Sequence, residues 1–434
     1  MLFTILVISK WSIALKEIKL VVLDFLGALS SKPYFERFFI LFWMAGPFLL
    51  LIERSVGDVW MTLIGIAFVV RTVKSKCGHW LSIAWVRFAF LFWFVCIFSS
   101  LASEVPTYSF GEAIAWFRFP LFSMAVVFWL AHDWNLVRAM FLSTALGCLT
   151  MSGILLAEFW IVGQRGYGRL YWPYGDPVPG NYLAKVCLPT VLAALMLAFK
   201  KNVYIKILSS MFIFLTVSVL LLTGERINFL IMFCSLLLAL AISMFSSYWR
   251  SCAALFSALI VCTAAIFTFY PNVMSRLLFG ISEKFKLGID NPYYLTMKSG
   301  LIAFEQNPLL GVGPGALRVV CKELVAAADE KALCLNHPHN FYLQLAGEVG
   351  VLGLIAGVLL FLSIIKICFQ ARKNNFNNPM VSFAFIVPLA FFWPIATTAD
   401  FFGQWNNTFM WTGISLALMS TGFASHLKKE VLRT

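Results

Sequence analysis

The chain has 434 residues, 61% of them hydrophobic and only 12% charged, with 44 Phe and 15 Trp. This composition excludes a soluble globular domain, and the continuously apolar runs exclude a β-barrel, whose strands would alternate. The formal net charge of +13 does not mark a nucleic-acid binder, because Lys and Arg fall in short clusters between apolar runs, as in positive-inside topology.

Residues 1–36 mix Lys10, Lys16 and Lys19 with apolar residues and read as an interfacial amphipathic helix, with a short extra span as the alternative. No basic stretch precedes the apolar residues 1–9 and no A-x-A site follows, so the first span is expected to serve as its own signal. About twelve apolar runs then approach the roughly 20 residues that a crossing needs. Their cores are 38–52, 58–70, 81–99, 114–131, 138–162, 182–199, 204–223, 227–247, 251–270, 342–365, 380–396 and 409–424, the second being short. An even number puts both termini on one side. The basic ends, Lys10 to Arg37 and Lys428 to Arg433, assign that side to the cytoplasm. Arg71, Lys74 and Lys76, then Lys200 and Lys201, then Lys366, Arg372 and Lys373 fall on the same side. The expected fold class is therefore an all-α polytopic membrane protein, a single integral membrane domain over 1–434. Its external segments are 53–57, 100–113, 163–181, 224–226, 271–341 and 397–408. The segment 271–341, between the ninth and tenth spans, is one long external loop with short helices near 294–305 and 316–331. A loop of this length reads as a cap over an active site.

Chemistry-bearing residues collect at the external side. Arg118, about one turn into the fourth span, either faces the bundle interior or snorkels to the interface. Arg165 and Arg169 flank Tyr167; Tyr171, Trp172, Tyr174 and Asp176 follow. The group reads as a sugar and phosphate surface or as an interfacial aromatic belt. Arg226, in Thr223-Gly224-Glu225-Arg226, ends one run and begins the next. It is either paired with Glu225 or clamps a diphosphate, since guanidinium matches phosphate oxygens. Cys321 and Cys334 share the long loop, where an oxidising compartment favours a disulfide. A zinc site with His337 and His339 is the competing reading, and Pro338 limits its convergence. The loop ends in His337-Pro338-His339-Asn340, just before a strongly apolar run. A helix N-terminus keeps an imidazole neutral and able to accept a proton. Two histidines beside Asn340 favour chemistry over capping.

These residues resemble the O-antigen ligase / Wzy-type O-antigen polymerase superfamily of bacterial envelope polysaccharide glycosyltransferases. The likeness rests on His339-Asn340, a nine-residue gap and Gly350-x-x-Gly353, and on the upstream Asn307-Pro308-Leu309-Leu310-Gly311-Val312-Gly313-Pro314. Arg226 between two spans, Gly175-Asp176, Gly180-Asn181-Tyr182-Leu183 and Pro189 add to it. The chain departs from the pattern where many ligases carry an arginine about fifteen residues before the Asn-Pro-Leu segment. It has Asn291-Pro292-Tyr293-Tyr294 there, leaving Lys298 or Arg318 as substitutes.

The resemblance implies a GT-C-like fold in the bacterial inner membrane, with cytoplasmic termini and a periplasmic active site. It implies transfer of a glycan from undecaprenyl pyrophosphate to an acceptor hydroxyl with inversion. His339 would be the catalytic base. Arg226, Arg118, Arg169, His337 and Asn340 would bind substrate. O-antigen ligation to lipid A-core is the first expectation and polymerisation on a second lipid-linked glycan the alternative. A non-catalytic polysaccharide transporter fits less well, because the polar groups gather at one face rather than at mid-membrane. No cofactor or metal is expected: arginines can neutralise the pyrophosphate, and the external loops lack an Asp-x-Asp pair.

Overall fold

Proline, glycine and buried polar residues decide which apolar runs become long helices. The computed structural model describes residues 2–166, 168–200, 202–244, 248–285 and 291–422, excluding the side chains of 2–15, 54 and 279–285. Tyr167, Lys201, Lys428, Lys429 and Arg433, all used in reading the sequence, lie outside the described residues. The described chain is α-helical, with one isolated antiparallel bridge between Arg165 and Arg169.

Eight described helices are long and apolar enough to cross a membrane: Ser55–Ser75, Ala84–Leu101, Pro106–Leu130, Trp134–Ile161, Val203–Leu222, Arg226–Met244, Trp249–Phe269 and Phe341–Asn374. The other four expected runs fold otherwise. Run 38–52 divides into Tyr34–Met44 and Gly46–Leu49 around Gly46-Pro47. Run 182–199 divides into a π-helical turn, Tyr182–Val186, and the helix Leu188–Ala198. Proline at position 189 cannot donate the bond that would join them. Run 380–396 keeps only the helix Ile386–Phe391, bounded by turns. The last run is the 17-residue helix Gln404–Ser420, buried at every position from Asn406 onward.

That last helix explains much of the architecture. It carries Asn406, Asn407, Thr408, Thr412 and Ser415 because protein, not lipid, surrounds it. Gly413 lets the carbonyl of Lys185 approach: a Cβ there would lie 2.2 Å from that oxygen. Ser415 and Ser123 share a hydroxyl hydrogen bond of 2.7 Å. At the periphery, Trp249–Phe269 leaves Phe256, Ile260, Val261 and Phe269 exposed, as a lipid-facing helix does. Residues 1–36, expected as an interfacial helix, contain the helix Leu2–Ser30, which packs on Trp134–Ile161.

Segment 271–341 contains the helices Pro271–Phe285, Pro292–Gln306 and Leu317–Ala327. Its own small core unites Ile302, Ala303, Val312, Leu317, Val320 and Leu324. Cys321 and Cys334 are disulfide-bonded, with Cα atoms 5.7 Å apart, so neither thiol is left for the zinc alternative.

Candidate functional site

The histidine end of the site is fixed by backbone geometry. Asn340 is the N-cap of Phe341–Asn374: its Oδ1 accepts from the backbone N–H groups of Tyr342 (3.0 Å) and Leu343 (3.1 Å). Its Nδ2 donates to the Pro394 carbonyl at 2.7 Å. Both polar ends of the side chain therefore serve the fold in this structure. His339 precedes it with a left-handed φ of +57°. This bends the chain so that the rings of His337 and His339 meet edge to face, with centroids 4.3 Å apart. Both rings approach one carbonyl, that of Thr398: His337 through Nε2 and His339 through Nδ1, each at 3.3 Å. A carbonyl only accepts, so each facing nitrogen carries the proton. The lone pairs then lie on His337 Nδ1 and His339 Nε2. Burial and the neighbouring His339 push His337 down to about 4.

Beside the histidines stands a charged chain. Asp400 pairs with Arg318 through Oδ2. Its Oδ1 accepts from Gln344 Nε2 at 2.6 Å and from the Phe402 N–H at 3.0 Å. Gln344 Nε2 also donates to Glu348 Oε2 at 3.1 Å, and the same oxygen accepts from the Gly315 N–H at 3.0 Å. Burial opposes the charge of Arg318, but Asp400 and the acids and phenol around it hold its proton affinity above the ordinary value.

The glycine signature has a physical reason. Gly350 breaks the long helix with φ +71° and ψ −172°. The break frees backbone groups that segment 308–313 then satisfies. The Gly347 carbonyl accepts from the Val312 N–H at 3.0 Å, the Glu348 carbonyl from Gly313 at 2.8 Å, and the Pro308 carbonyl from Val351 at 2.8 Å. Ser99 donates to the Leu310 carbonyl at 2.6 Å and Ser103 to that of Val312 at 2.6 Å. The Asn-Pro-Leu segment is thus spliced into the helix that begins at the histidines.

A second cluster gathers arginines. The turn Gly224-Glu225-Arg226 packs on the 165–169 loop, and a Cβ at Gly224 would lie 2.1 Å from the Gly168 carbonyl. Arg276 donates through Nε to the Gly224 carbonyl at 2.9 Å and crosses the face of Gly168. Burial, together with the adjacent charges of Arg169 and Arg226, brings Arg276 down to about 10. Glu225 does not pair with Arg226. Its carboxylate accepts from the Gly180 N–H (2.5 Å), Asn228 Nδ2 (2.5 Å) and Asn181 Nδ2 (3.3 Å). Burial pushes Glu225 up to about 7, against the pull of the Gly180 N–H and Arg169. Three guanidinium groups around one buried acid leave surplus positive charge, which suits a polyanionic ligand.

The structure therefore brings His337, His339 and Asn340 together, and separately Arg169 and Arg226. Arg118 joins neither group: it pairs with Asp58 at 3.3 Å and lies over the Phe119 ring. Arg165 pairs with Glu158 at 2.7 Å, and the same carboxylate binds the backbone N–H groups of Tyr171 and Trp172. Lys298 is taken by Glu330, so of the two substitutes for the missing arginine only Arg318 stands beside the histidines. Asp400, Arg276, Glu225, Lys185 and Asn406 were not singled out as site residues from sequence. For all of these but Lys185, which lies in the apolar run 182–199, the local signal was polarity in the segments 224–226, 271–341 and 397–408, read from sequence as external. No curated protein matches the chain significantly. The family model described as O-Antigen ligase matches residues 211–358, which include Arg226, Arg276, the Asn-Pro-Leu segment, both histidines and Gly350. That match supports the resemblance of the chain to the O-antigen ligase / Wzy-type polymerase superfamily.

Proposed function

We propose that the protein is an inverting glycosyltransferase that moves a glycan from undecaprenyl pyrophosphate to an acceptor hydroxyl at the periplasmic face. Lipid A-core is the proposed acceptor, so that the reaction is O-antigen ligation. The observation that carries this reading is the presence of two unlike polar groups in one chain. One is a histidine pair with its tautomers set by the Thr398 carbonyl, and the other is a cluster of Arg169, Arg226 and Arg276. The family match supports lipid-linked glycan chemistry in general.

In the proposed step His339 Nε2 takes the proton of the acceptor hydroxyl as that oxygen bonds to the anomeric carbon. The bond from the anomeric carbon to the pyrophosphate oxygen breaks, and its electron pair leaves with the pyrophosphate. The arginines stabilise that charge as it develops. Arg318 and Asp400 set the charge around the histidines, and His337, kept neutral, orients the acceptor. The arginines supply the positive charge, so the step is written without a metal. The proposal includes cytoplasmic termini in the bacterial inner membrane, and the four interrupted or shorter runs completing twelve crossings.

A deletion strain complemented with variants tests the reading. Deleting a ligase leaves long polymer on the lipid carrier; deleting a polymerase leaves single repeats on core. With His339→Ala at wild-type membrane levels, transfer should fall by about 100-fold or more. Full transfer by that variant would refute the base assignment.

A further inference from the structure

We propose that Lys185, with Asn406, is a positioning residue that sets the arginine cluster and the histidine pair in register; this rests on the transferase reading above. Lys185 is 7% exposed and lies on the π-helical turn Tyr182–Val186. A buried ammonium is costly unless its donors are satisfied, and π turns inside helical segments are frequent at functional positions. Lys185 Nζ donates to Asn181 Oδ1 at 2.7 Å and to Asn406 Oδ1. Each asparagine passes the connection on. Asn181 Nδ2 donates to Glu225 Oε2, in the middle of the arginines, at 3.3 Å. Asn406 Nδ2 donates to the Asp400 carbonyl at 3.4 Å. Asp400 holds Arg318 and Gln344, and two residues earlier the Thr398 carbonyl receives both imidazoles.

The chain Glu225–Asn181–Lys185–Asn406–Asp400 therefore joins residues far apart in sequence through one buried cation. Its mounting is rigid. Gly413 brings the central helix against the Lys185 carbonyl, so the π turn and the helix carrying Asn406 are in backbone contact. For inverting transfer, the proton acceptor and the leaving-group clamp must stand on opposite sides of one carbon. An error of about 1 Å in that spacing is costly to rate. Lys185 acts through the asparagines on the two groups and is not placed in contact with reacting atoms.

The test uses the full-length protein in detergent. Its donor is the lipid-linked glycan and its acceptor the truncated lipopolysaccharide, both extracted from the deletion strain. Lys185→Met and Asn406→Ala should each lower kcat about tenfold while KM for the donor moves less than about threefold. The double variant should be no slower than the slower single one, because both break one connection. Asn406→Asp keeps an acceptor for Lys185 and so protects the buried cation, but loses the N–H to Asp400. It should fold with wild-type thermal stability and still lose kcat. Multiplying effects in the double variant, or wild-type kcat in Asn406→Asp, overturns the inference while leaving an active, His339-dependent wild type intact. A wild type inactive on these substrates overturns the transferase reading, and this inference with it.

Discussion

His337 resists protonation because its ring is half-buried and shares an acceptor with a second imidazole. Burial is the larger cause and the adjacent His339 adds to it, bringing the group to about 4 against an ordinary value near 6.5. The sign follows from linkage. Between pH 6.5 and 4 the unfolded chain takes up a proton that the folded chain refuses, so this contribution to stability is present above pH 6.5 and lost as pH falls toward 4. Replacing His337 with Gln removes the titrating group. The thermal midpoint of His337→Gln in detergent should therefore fall less than that of the wild type between pH 7 and pH 5. Parallel pH profiles for the two proteins would contradict the assigned burial.

At the scale of elements, the splice of segment 308–313 into the broken helix is the joint on which the site depends. Gly350 has both a left-handed φ and backbone pressed against it, with a Cβ placed 2.2 Å from the Leu309 carbonyl. Gly350→Ala should cost about 1–3 kcal/mol from backbone strain before the clash is counted, seen as a lower thermal midpoint together with lost transfer. The disulfide is a separate fastening. It closes a loop over a sequence separation of 13 residues, which the chain-entropy relation values at roughly 3 kcal/mol. Cys321→Ser should show faster proteolysis of the loop and a shift in non-reducing mobility; an unchanged reduced and oxidised migration of the wild type would remove the crosslink from the account. These elements differ in how far they can be read from sequence. His339, Asn340 and the glycines sit within about fifteen residues of one another, so local spacing exposes them. Asp400, Arg276 and Lys185 gain their meaning from partners tens to hundreds of residues away, and no local pattern marks them. The apolar runs divide for a similar reason. A window of hydropathy cannot see that Gln404–Ser420 is enclosed by protein, or that Pro189 ends a hydrogen-bond ladder.

For the whole molecule, the decisive question is which side of the membrane carries the site. The proposed topology sets the histidines, the arginine cluster and the disulfide-bonded loop outside, and the basic clusters inside, where Lys and Arg are retained. The disulfide fits this arrangement, because crosslinks persist in oxidising compartments and are rare in the cytosol. Cys77 is exposed and follows Arg71, Lys74 and Lys76, so it reports the cytoplasmic side. Glu305 is exposed at the end of the helix Pro292–Gln306 and would report the other. In a protein keeping only Cys77 and the Cys321–Cys334 pair, an impermeant maleimide should leave intact spheroplasts unlabelled and react after permeabilisation. With Cys77 also replaced, Glu305→Cys should label before permeabilisation. The opposite pattern would put the histidines in the cytoplasm, where no lipid-linked polymer is joined to lipid A-core, and the ligation proposal would fall with the topology.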